Sequence, residues 1–258
     1  MQPVLISLGA FGAAEVRRHG QLWFTKLAHA AGADGVEVRG ELLVDAAGEL
    51  PALARAAREQ GARLVYSSPE GLWCADGALD GAALARALDA AQALGAPRLK
   101  MSIGGFGRGS AAGFAPLAQA LAGRGIELLI ENDQTVAAGT IAPLQAFFAQ
   151  ARAAGLPLAM TFDMGNCHWT GECALEAART LGAHVGYVHC KGVQRQPHRW
   201  IAVPLADSAA PWRTVLRTLP RGRPWAIEYP LQGDDLLAAT REHVAQLREV
   251  AATLEAAQ

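Results

Sequence analysis

The sequence has no cluster of basic residues, no long apolar run and no closely spaced pair of cysteines. Its 23 Lys+Arg residues are balanced by 24 Asp+Glu, which gives a formal net charge of −1 over 258 residues. Proteins that bind along a nucleic acid neutralise its phosphates with a basic surface. The charge balance therefore argues against nucleic acid as a partner.

The N-terminal segment carries no targeting signal that the sequence makes visible. Residues 1–8 have no positively charged start, and their apolar run breaks at Gly9, which predicts neither a signal peptide nor a membrane span. The four cysteines form no C-x-x-C pair, and nothing marks the chain as secreted. We therefore expect a cytoplasmic protein with no membrane partner.

Glycine, in contrast, is abundant and recurs at one kind of junction. A stretch of helical composition ends in glycine, and a short apolar run follows within a few residues. Glycine is favoured just past a helix end because it adopts a left-handed backbone without strain. These junctions predict helix-to-strand turns. They lie at Gly32, Gly61, Gly95, Gly125, Gly155, Gly182 and Gly222.

The apolar runs predict eight short buried strands with helices between them. Their starts lie about 30 residues apart, the length of one strand, one helix and two loops. The predicted strands are residues 4–8, 35–38, 63–66, 98–102, 126–130, 158–162, 185–190 and 225–229. Segments of helical composition include residues 50–60, 83–94, 141–154 and 236–257.

Strict alternation of apolar strands and helices predicts a parallel sheet covered by helices. Eight such units in 258 residues match a (β/α)8 TIM barrel, so we predict an α/β fold with a single domain over residues 1–258. A doubly wound open sheet is the alternative, but residues 9–12 lack a G-x-G-x-x-G fingerprint. The longest interval, residues 191–223, predicts a lid or binding loop.

Polar side chains close four strands in the second half of the predicted barrel. They are Glu131, Asp163, His189 and Glu228. Because TIM-barrel active sites lie at the carboxyl ends of the strands, we expect these side chains to meet. Three close carboxylates repel one another and lose hydration, and a divalent cation relieves both costs. Oxygen donors with one imidazole suit Mn²⁺, Mg²⁺ or Co²⁺, with Zn²⁺ as an alternative.

The motifs around these residues resemble the metal-binding motifs of the xylose-isomerase-like sugar isomerase/epimerase superfamily. They read Leu-Ile-Glu-Asn at 129–132, Phe-Asp-Met-Gly-Asn at 162–166, Val-His-Cys-Lys at 188–191 and Ala-Ile-Glu at 226–228. Members include ketose 3-epimerases, hydroxypyruvate isomerases and inosose dehydratases. The resemblance implies that Glu131, Asp163, His189 and Glu228 bind the metal. It also implies that Glu131 and Glu228 are catalytic, one abstracting a substrate proton and the other returning it.

The resemblance implies an isomerase or epimerase of a keto sugar, keto sugar acid or related polyol. A metal that binds a carbonyl and its neighbouring hydroxyl acidifies the C–H between them, and a positioned carboxylate can then take the proton. The alternatives are a metal-dependent lyase of the inosose or dehydroshikimate dehydratase type and a non-catalytic sugar-binding barrel. The endonuclease branch of the superfamily needs further histidine ligands and a basic groove, which the sequence does not display. The sequence allows a homo-oligomer and does not specify one.

Four residues are candidates for binding the substrate, and two of them, Asn166 and His168, follow Asp163 at the end of the sixth predicted strand. Epimerase members commonly carry a histidine three residues after it, where this sequence has Asn166, with His168 two residues further on. Asparagine can donate a hydrogen bond but cannot hold a positive charge. We therefore expect Lys191, Arg195 or His168 to supply the cation that stabilises a developing oxyanion, and Arg195 resembles the family arginine that reaches over the substrate.

The period-2 geometry of a strand adds Lys100 as a fifth candidate. Lys100 shares one strand face with Arg98 and Ser102, which aims it into the barrel near its carboxyl end. Glu37 and Arg39 alternate in the same way with valines on strand 2. For these side chains, an ion pair that fills the barrel interior and a contact with substrate are both open.

Overall fold

Eight parallel strands of the computed structural model, which describes residues 2–256, close into a barrel. The barrel strands are β1 (Val4–Ser7), β2 (Gly35–Arg39), β3 (Arg63–Trp73), β4 (Arg98–Gly104), β5 (Glu127–Glu131), β6 (Ala159–Asp163), β7 (Val185–Cys190) and β10 (Trp225–Ile227). Between β7 and β10, the strands β8 (Gly192–Arg195) and β9 (Trp200–Val203) form a separate hairpin. The last strand pairs with both β7 and β1 and so closes the ring. The closed ring confirms the predicted TIM barrel and excludes the open sheet.

Helices connect the strands and cover the outside of the barrel. They are α1 (Ala13–His19), α2 (Gln21–Ala30), α3 (Ala46–Gln60), α4 (Gly81–Leu94), α5 (Phe114–Leu121), α6 (Val136–Gly139), α7 (Ile141–Ala153), α8 (Asn166–Trp169), α9 (Ala174–Leu181), α10 (Trp212–Thr218) and α11 (Leu236–Ala256). None of the helices within residues 2–256 has the length and apolar character needed to span a membrane.

The predicted helices are present, with ends that local chemistry shifts; residue 257, predicted to end the last helix, lies outside the described residues. Helix α4 begins at Gly81, two residues before the prediction, because the Asp80 carboxylate accepts a hydrogen bond from the Ala83 N–H at 2.8 Å. Six of the seven junction glycines have a left-handed φ between +63° and +90°. Gly182 is the exception, because φ is −53° there and the chain continues into a 3₁₀ turn before β7.

Two stretches of strand were not predicted. Strand β3 extends to Trp73 after a shift in register against β4 between Ser67 and Gly71. The interval 191–223 contains the β8–β9 antiparallel hairpin followed by the short helix α10, and its predicted role as a lid or binding loop stays a prediction. The alternation in Gly192–Arg195 and Trp200–Val203 is too short to stand out in a sequence.

The inside of the barrel changes from apolar to polar along the strands. Leu5, Val65, Leu129, Tyr187 and Ala226 form one buried cluster, here called the apolar layer. Two residues further along each of these strands the inward side chain is polar, since side chains alternate with a period of two. These polar residues are Ser7, Ser67, Glu131, His189 and Glu228. The polar cluster therefore lies at the carboxyl end of the barrel, on top of the apolar layer.

Candidate functional site

The four predicted metal-binding residues meet at the carboxyl end of the barrel. Glu131, Asp163 and His189 lie on the neighbouring strands β5, β6 and β7, and Glu228 directly follows β10. One potential ligand atom from each lies within 4.8 Å of the others. Asp163 and His189 are fully buried, whereas the Glu131 and Glu228 side chains are about 15% exposed. The structure thus assembles three carboxylates and one imidazole in a single cluster.

The cluster has the chemistry that a divalent cation requires. His189 Nδ1 lies 2.8 Å from Glu228 Oε2, 3.1 Å from Glu131 Oε1 and 3.8 Å from Asp163 Oδ2. Neither Nδ1 nor Glu228 Oε2 makes a hydrogen bond of good geometry, although both are buried and Oε2 lies 2.9 Å from the Lys191 ammonium. A cation shared by the cluster would give both atoms a well-oriented partner. The donor set therefore fits a divalent metal ion.

A buried carboxylate on β2 orients the imidazole. Glu37 Oε2 lies 2.8 Å from His189 Nε2, and both side chains are fully buried. When Nε2 donates to Glu37, Nδ1 is left to face the carboxylates and to bind a metal. The sequence places Glu37 inside the barrel, but its partner is 152 residues away and belongs to a strand across the ring. Its contact with His189 was not predicted.

Two cations line the side of the cluster that faces β2 and β4. Lys100 Nζ lies 2.8 Å from Glu131 Oε2 and 3.3 Å from Glu37 Oε1, with only 1% of its side chain exposed. Arg39 Nη1 lies 2.9 Å from Glu228 Oε1 and 3.2 Å from Glu37 Oε1. Lys100 points into the barrel as expected, and it forms the interior ion pair. Its contact with substrate stays a prediction.

A third cation, Lys191, lies among the potential metal ligands themselves. Its ammonium lies 2.6 Å from Asp163 Oδ2 and 2.9 Å from Glu228 Oε2. It also donates to Asn166 Oδ1 at 3.1 Å. The other half of the Asn166 amide donates to the backbone carbonyl of Asn132 at 2.9 Å. Both ends of the Asn166 amide are therefore engaged by protein groups, and its predicted contact with substrate is untested.

Charge coupling shifts the pKa of each group in the cluster. Burial alone would raise the pKa of Glu228, but His189 and Lys191 hold it well below its ordinary value. Burial alone would lower the pKa of His189, but Glu228 and Glu37 raise it well above its ordinary value. For Asp163, burial outweighs Lys191 and raises the pKa. A metal ion that binds Nδ1 would have to displace the imidazolium proton.

An aromatic residue of the hairpin lies between two of the other predicted substrate-binding residues. The Trp200 ring is 5.0 Å from the His168 ring, measured between centroids, and the Arg195 guanidinium carbon is 5.4 Å from the Trp200 centroid. Burial lowers the pKa of His168 despite the nearby Asp163 carboxylate, which favours a neutral imidazole. The predicted contacts of His168, Arg195 and Lys191 with substrate stay predictions.

The fold agrees with that of known proteins. The family model described as the xylose isomerase-like TIM barrel matches residues 25–250. Similar solved structures include a xylose isomerase domain-containing protein from Salmonella typhimurium, which is 16% identical over 97% of both chains with a TM-score of 0.73. A search of curated proteins found no match.

Several of the similar structures carry the names of epimerases. An L-ribulose 3-epimerase is 18% identical, with a TM-score of 0.73, over 99% of this chain and 96% of its own. The D-allulose 3-epimerase from a Methylomonas species, solved with D-allulose, is 18% identical over 96% of both chains with a TM-score of 0.69. At these identities the likeness establishes the fold. Because the family model covers most of the sequence, this chain belongs to the xylose isomerase-like TIM barrel family.

Proposed function

We propose that this protein is a divalent-metal-dependent isomerase or epimerase that moves a proton on a carbon next to a carbonyl. Its substrate is a keto sugar, keto sugar acid or related polyol. The observation that carries the proposal is the pair of glutamates on either side of His189. Glu131 Oε1 lies 3.1 Å and Glu228 Oε2 lies 2.8 Å from the same imidazole nitrogen. Two carboxylates so placed can serve as base and acid on one substrate carbon.

Glu131, Asp163, His189 Nδ1 and Glu228 would hold the metal ion. When bound, a divalent ion polarises a substrate carbonyl and its neighbouring hydroxyl, which stabilises negative charge on those oxygens. Mn²⁺, Mg²⁺ and Co²⁺ suit a set of three carboxylates and one imidazole. Glu37 keeps Nε2 occupied, so that the imidazole presents Nδ1 to the cluster.

The glutamates carry out the proton transfer. One carboxylate takes the proton from the carbon, and the electron pair moves onto the carbonyl oxygen. In an epimerase the other carboxylate returns a proton to the opposite face of the same carbon. In an isomerase the proton returns to the former carbonyl carbon, and the hydroxyl proton of the first carbon passes to the former carbonyl oxygen, so that the carbonyl moves by one carbon. Lys100 contacts Glu131, and Arg39 and Lys191 contact Glu228, so cations fix both carboxylates in position.

Solvent deuterium exchange tests this function directly. A panel of keto sugars and keto acids is incubated with the protein and Mn²⁺ in deuterated water and followed by proton NMR. We expect one compound to lose a C–H signal next to its carbonyl. Glu131→Gln and Glu228→Gln should each slow this loss by several orders of magnitude, because the amide removes both the base and a metal ligand charge.

Glu127→Gln is the matched control, because Glu127 lies at the other end of strand β5 and pairs with Arg98. It should exchange at the wild-type rate. Near-normal exchange in either site variant would contradict the two-carboxylate mechanism. The mass of the product separates the lyase alternative, since dehydration removes one water and isomerisation leaves the mass unchanged. Binding without any exchange across the panel would favour a sugar-binding barrel.

A further inference from the structure

A cavity lies on the outside of the barrel, between the last two helices of the ring. Helix α10 packs against α9 and helix α11 packs against α2, but α10 and α11 have little direct contact with each other over residues 2–256. The gap between them has a volume of about 370 Å³ and is here called the outer cavity. Its floor consists of the buried side chains of Leu205, Trp212, Tyr229 and Leu247.

The wall that α11 contributes to the outer cavity is an apolar stripe. Leu247, Val250 and Leu254 follow the i, i+3, i+7 spacing that places side chains on one helix face, and all three line the cavity. The stripe is about 10 Å long, at a rise of about 1.5 Å per residue. Folded proteins contain few empty spaces larger than a water molecule. An elongated apolar gap of this size therefore favours an apolar ligand over water.

The rim of the outer cavity carries two arginines. Arg213 and Arg217 lie four residues apart on α10, so they share one helix face, and both are exposed and line the cavity. The Arg213 guanidinium carbon lies 4.1 Å from the centroid of the Trp212 ring, and Arg217 donates to the Thr214 hydroxyl at 3.1 Å. Among the described side chains, neither guanidinium has a carboxylate partner.

The charge of the lining is positive once its acidic residue is counted. Glu249, on α11, is the one acidic residue among the described residues that line the outer cavity. Two guanidiniums and one carboxylate give the lining a net charge of +1. A single negative charge on a ligand would neutralise it. The outer cavity thus joins an apolar floor to a rim that suits a monoanion.

We propose that the outer cavity binds an alkyl carboxylate, with its chain between α10 and α11 and its carboxylate at Arg213 and Arg217. The apolar stripe matches the extended length of a chain of about eight carbons. Guanidinium groups match the geometry of a carboxylate and bind it with two parallel hydrogen bonds. A sugar would leave its hydroxyl groups without enough partners on the apolar floor. Glu131, Asp163, His189 and Glu228 do not line this cavity, so the proposal is independent of the function proposed above.

The first test compares three ligands by calorimetry. Hexanoate, octanoate and 1-octanol are titrated into the full-length protein with a chelator present, which keeps the carboxylates from binding through a metal ion. Octanoate should bind about tenfold more tightly than hexanoate, because two more methylene groups leave water. It should also bind about tenfold more tightly than 1-octanol, which has the same chain and cannot form a charge-assisted hydrogen bond.

The second test fills the outer cavity. In Val250→Phe the larger side chain occupies the space of the alkyl chain, so octanoate should bind at least about tenfold more weakly. Val44→Phe makes the same change in the loop before α3, where the side chain is 76% exposed, and should bind octanoate like wild type. Circular dichroism and thermal unfolding check that both variants are folded.

The third test removes the charge of the rim and needs no change to packed residues. The double variant Arg213→Met/Arg217→Met should bind octanoate and 1-octanol equally, because the groups that distinguish them are gone. Arg55→Met, at an exposed position on α3 at which no ion pair is formed among the described residues, should keep the tenfold preference.

Several results would overturn the proposal. They are equal affinities for hexanoate and octanoate, equal affinities of wild type for octanoate and 1-octanol, an undiminished preference in the double arginine variant, and unchanged octanoate binding in a folded Val250→Phe. A dimer that Val250→Phe dissociates, in a protein that does not bind octanoate, would instead assign the outer cavity to a second copy of the chain. Deuterium exchange at the polar cluster tests the isomerase function separately from all of these results.

Discussion

Glu37→Gln should destabilise the fold and weaken metal binding although Glu37 is not itself a metal ligand. The fully buried Glu37 carboxylate lies 2.8 Å from His189 Nε2, 3.3 Å from Lys100 Nζ and 3.2 Å from Arg39 Nη1. Glutamine keeps the volume and can still accept a hydrogen bond from the imidazole. It removes the negative charge that three cationic or polar groups share.

The magnitude follows from the contacts that remain. Removing one member of a buried ion pair costs about 3–5 kcal/mol. Lys100 keeps Glu131 and Arg39 keeps Glu228, so we expect the lower end, about 3 kcal/mol of unfolding free energy. For a chain of this size, this loss lowers Tm by about 6–12 °C. Losing the group that orients a histidine ligand should also weaken metal binding by about 10- to 100-fold.

Urea unfolding, calorimetry and Mn²⁺ titration measure these effects, and Glu41→Gln is the control. Glu41 contacts the same Arg39 at 2.8 Å, but its side chain is 35% exposed. Exposed pairs contribute less than about 1 kcal/mol, so this variant should stay close to wild type in stability and Mn²⁺ affinity. If Glu37→Gln behaved like Glu41→Gln in both measurements, the role assigned to the buried carboxylate would be refuted.

Three further predictions concern the metal, the hairpin and the turn after β6. Dialysis against a chelator should lower Tm, and Mn²⁺ at about 100 times its Kd should restore about 2.7 kcal/mol, as calorimetry can measure. Arg195→Ala should lower kcat/KM more than His168→Ala, since burial favours a neutral His168; the reverse ranking in steady-state assays would contradict this. Gly165→Ala should displace the Lys191 stem and lower the unfolding free energy in urea by about 1–3 kcal/mol, whereas Gly182→Ala, where a Cβ meets nothing within 4 Å, should not.

The fold and the four cluster residues could be predicted because both depend on local patterns. Short apolar runs between helical segments specify a barrel, and the topology brings the last residue of each strand to one end. This is why the sequence alone predicts that Glu131, Asp163, His189 and Glu228 meet. Their meeting at one end of the barrel can be predicted from the topology, without knowing how the side chains pack.

The contacts around the cluster depend on how the barrel closes. They join residues that are far apart in the sequence, so no local sequence pattern predicts them. Glu37 and His189 face each other across the ring from strands that are not neighbours. Lys191 has room because Gly165, on another strand's turn, lacks a side chain. The β8–β9 hairpin was missed because each of its strands has only four residues. Such features follow from three-dimensional packing.

The apolar layer affects how much of the transferred hydrogen would exchange with solvent in the proposed reaction. Leu5, Val65, Leu129, Tyr187 and Ala226 are each at most 1% exposed, and they close the barrel beneath the polar cluster. Water from the amino-terminal end is thereby kept from the carboxylates. A proton that a glutamate removes can therefore exchange with bulk solvent only at the carboxyl end. The fraction of substrate hydrogen retained in the product then reports how often that end opens to solvent during one turnover.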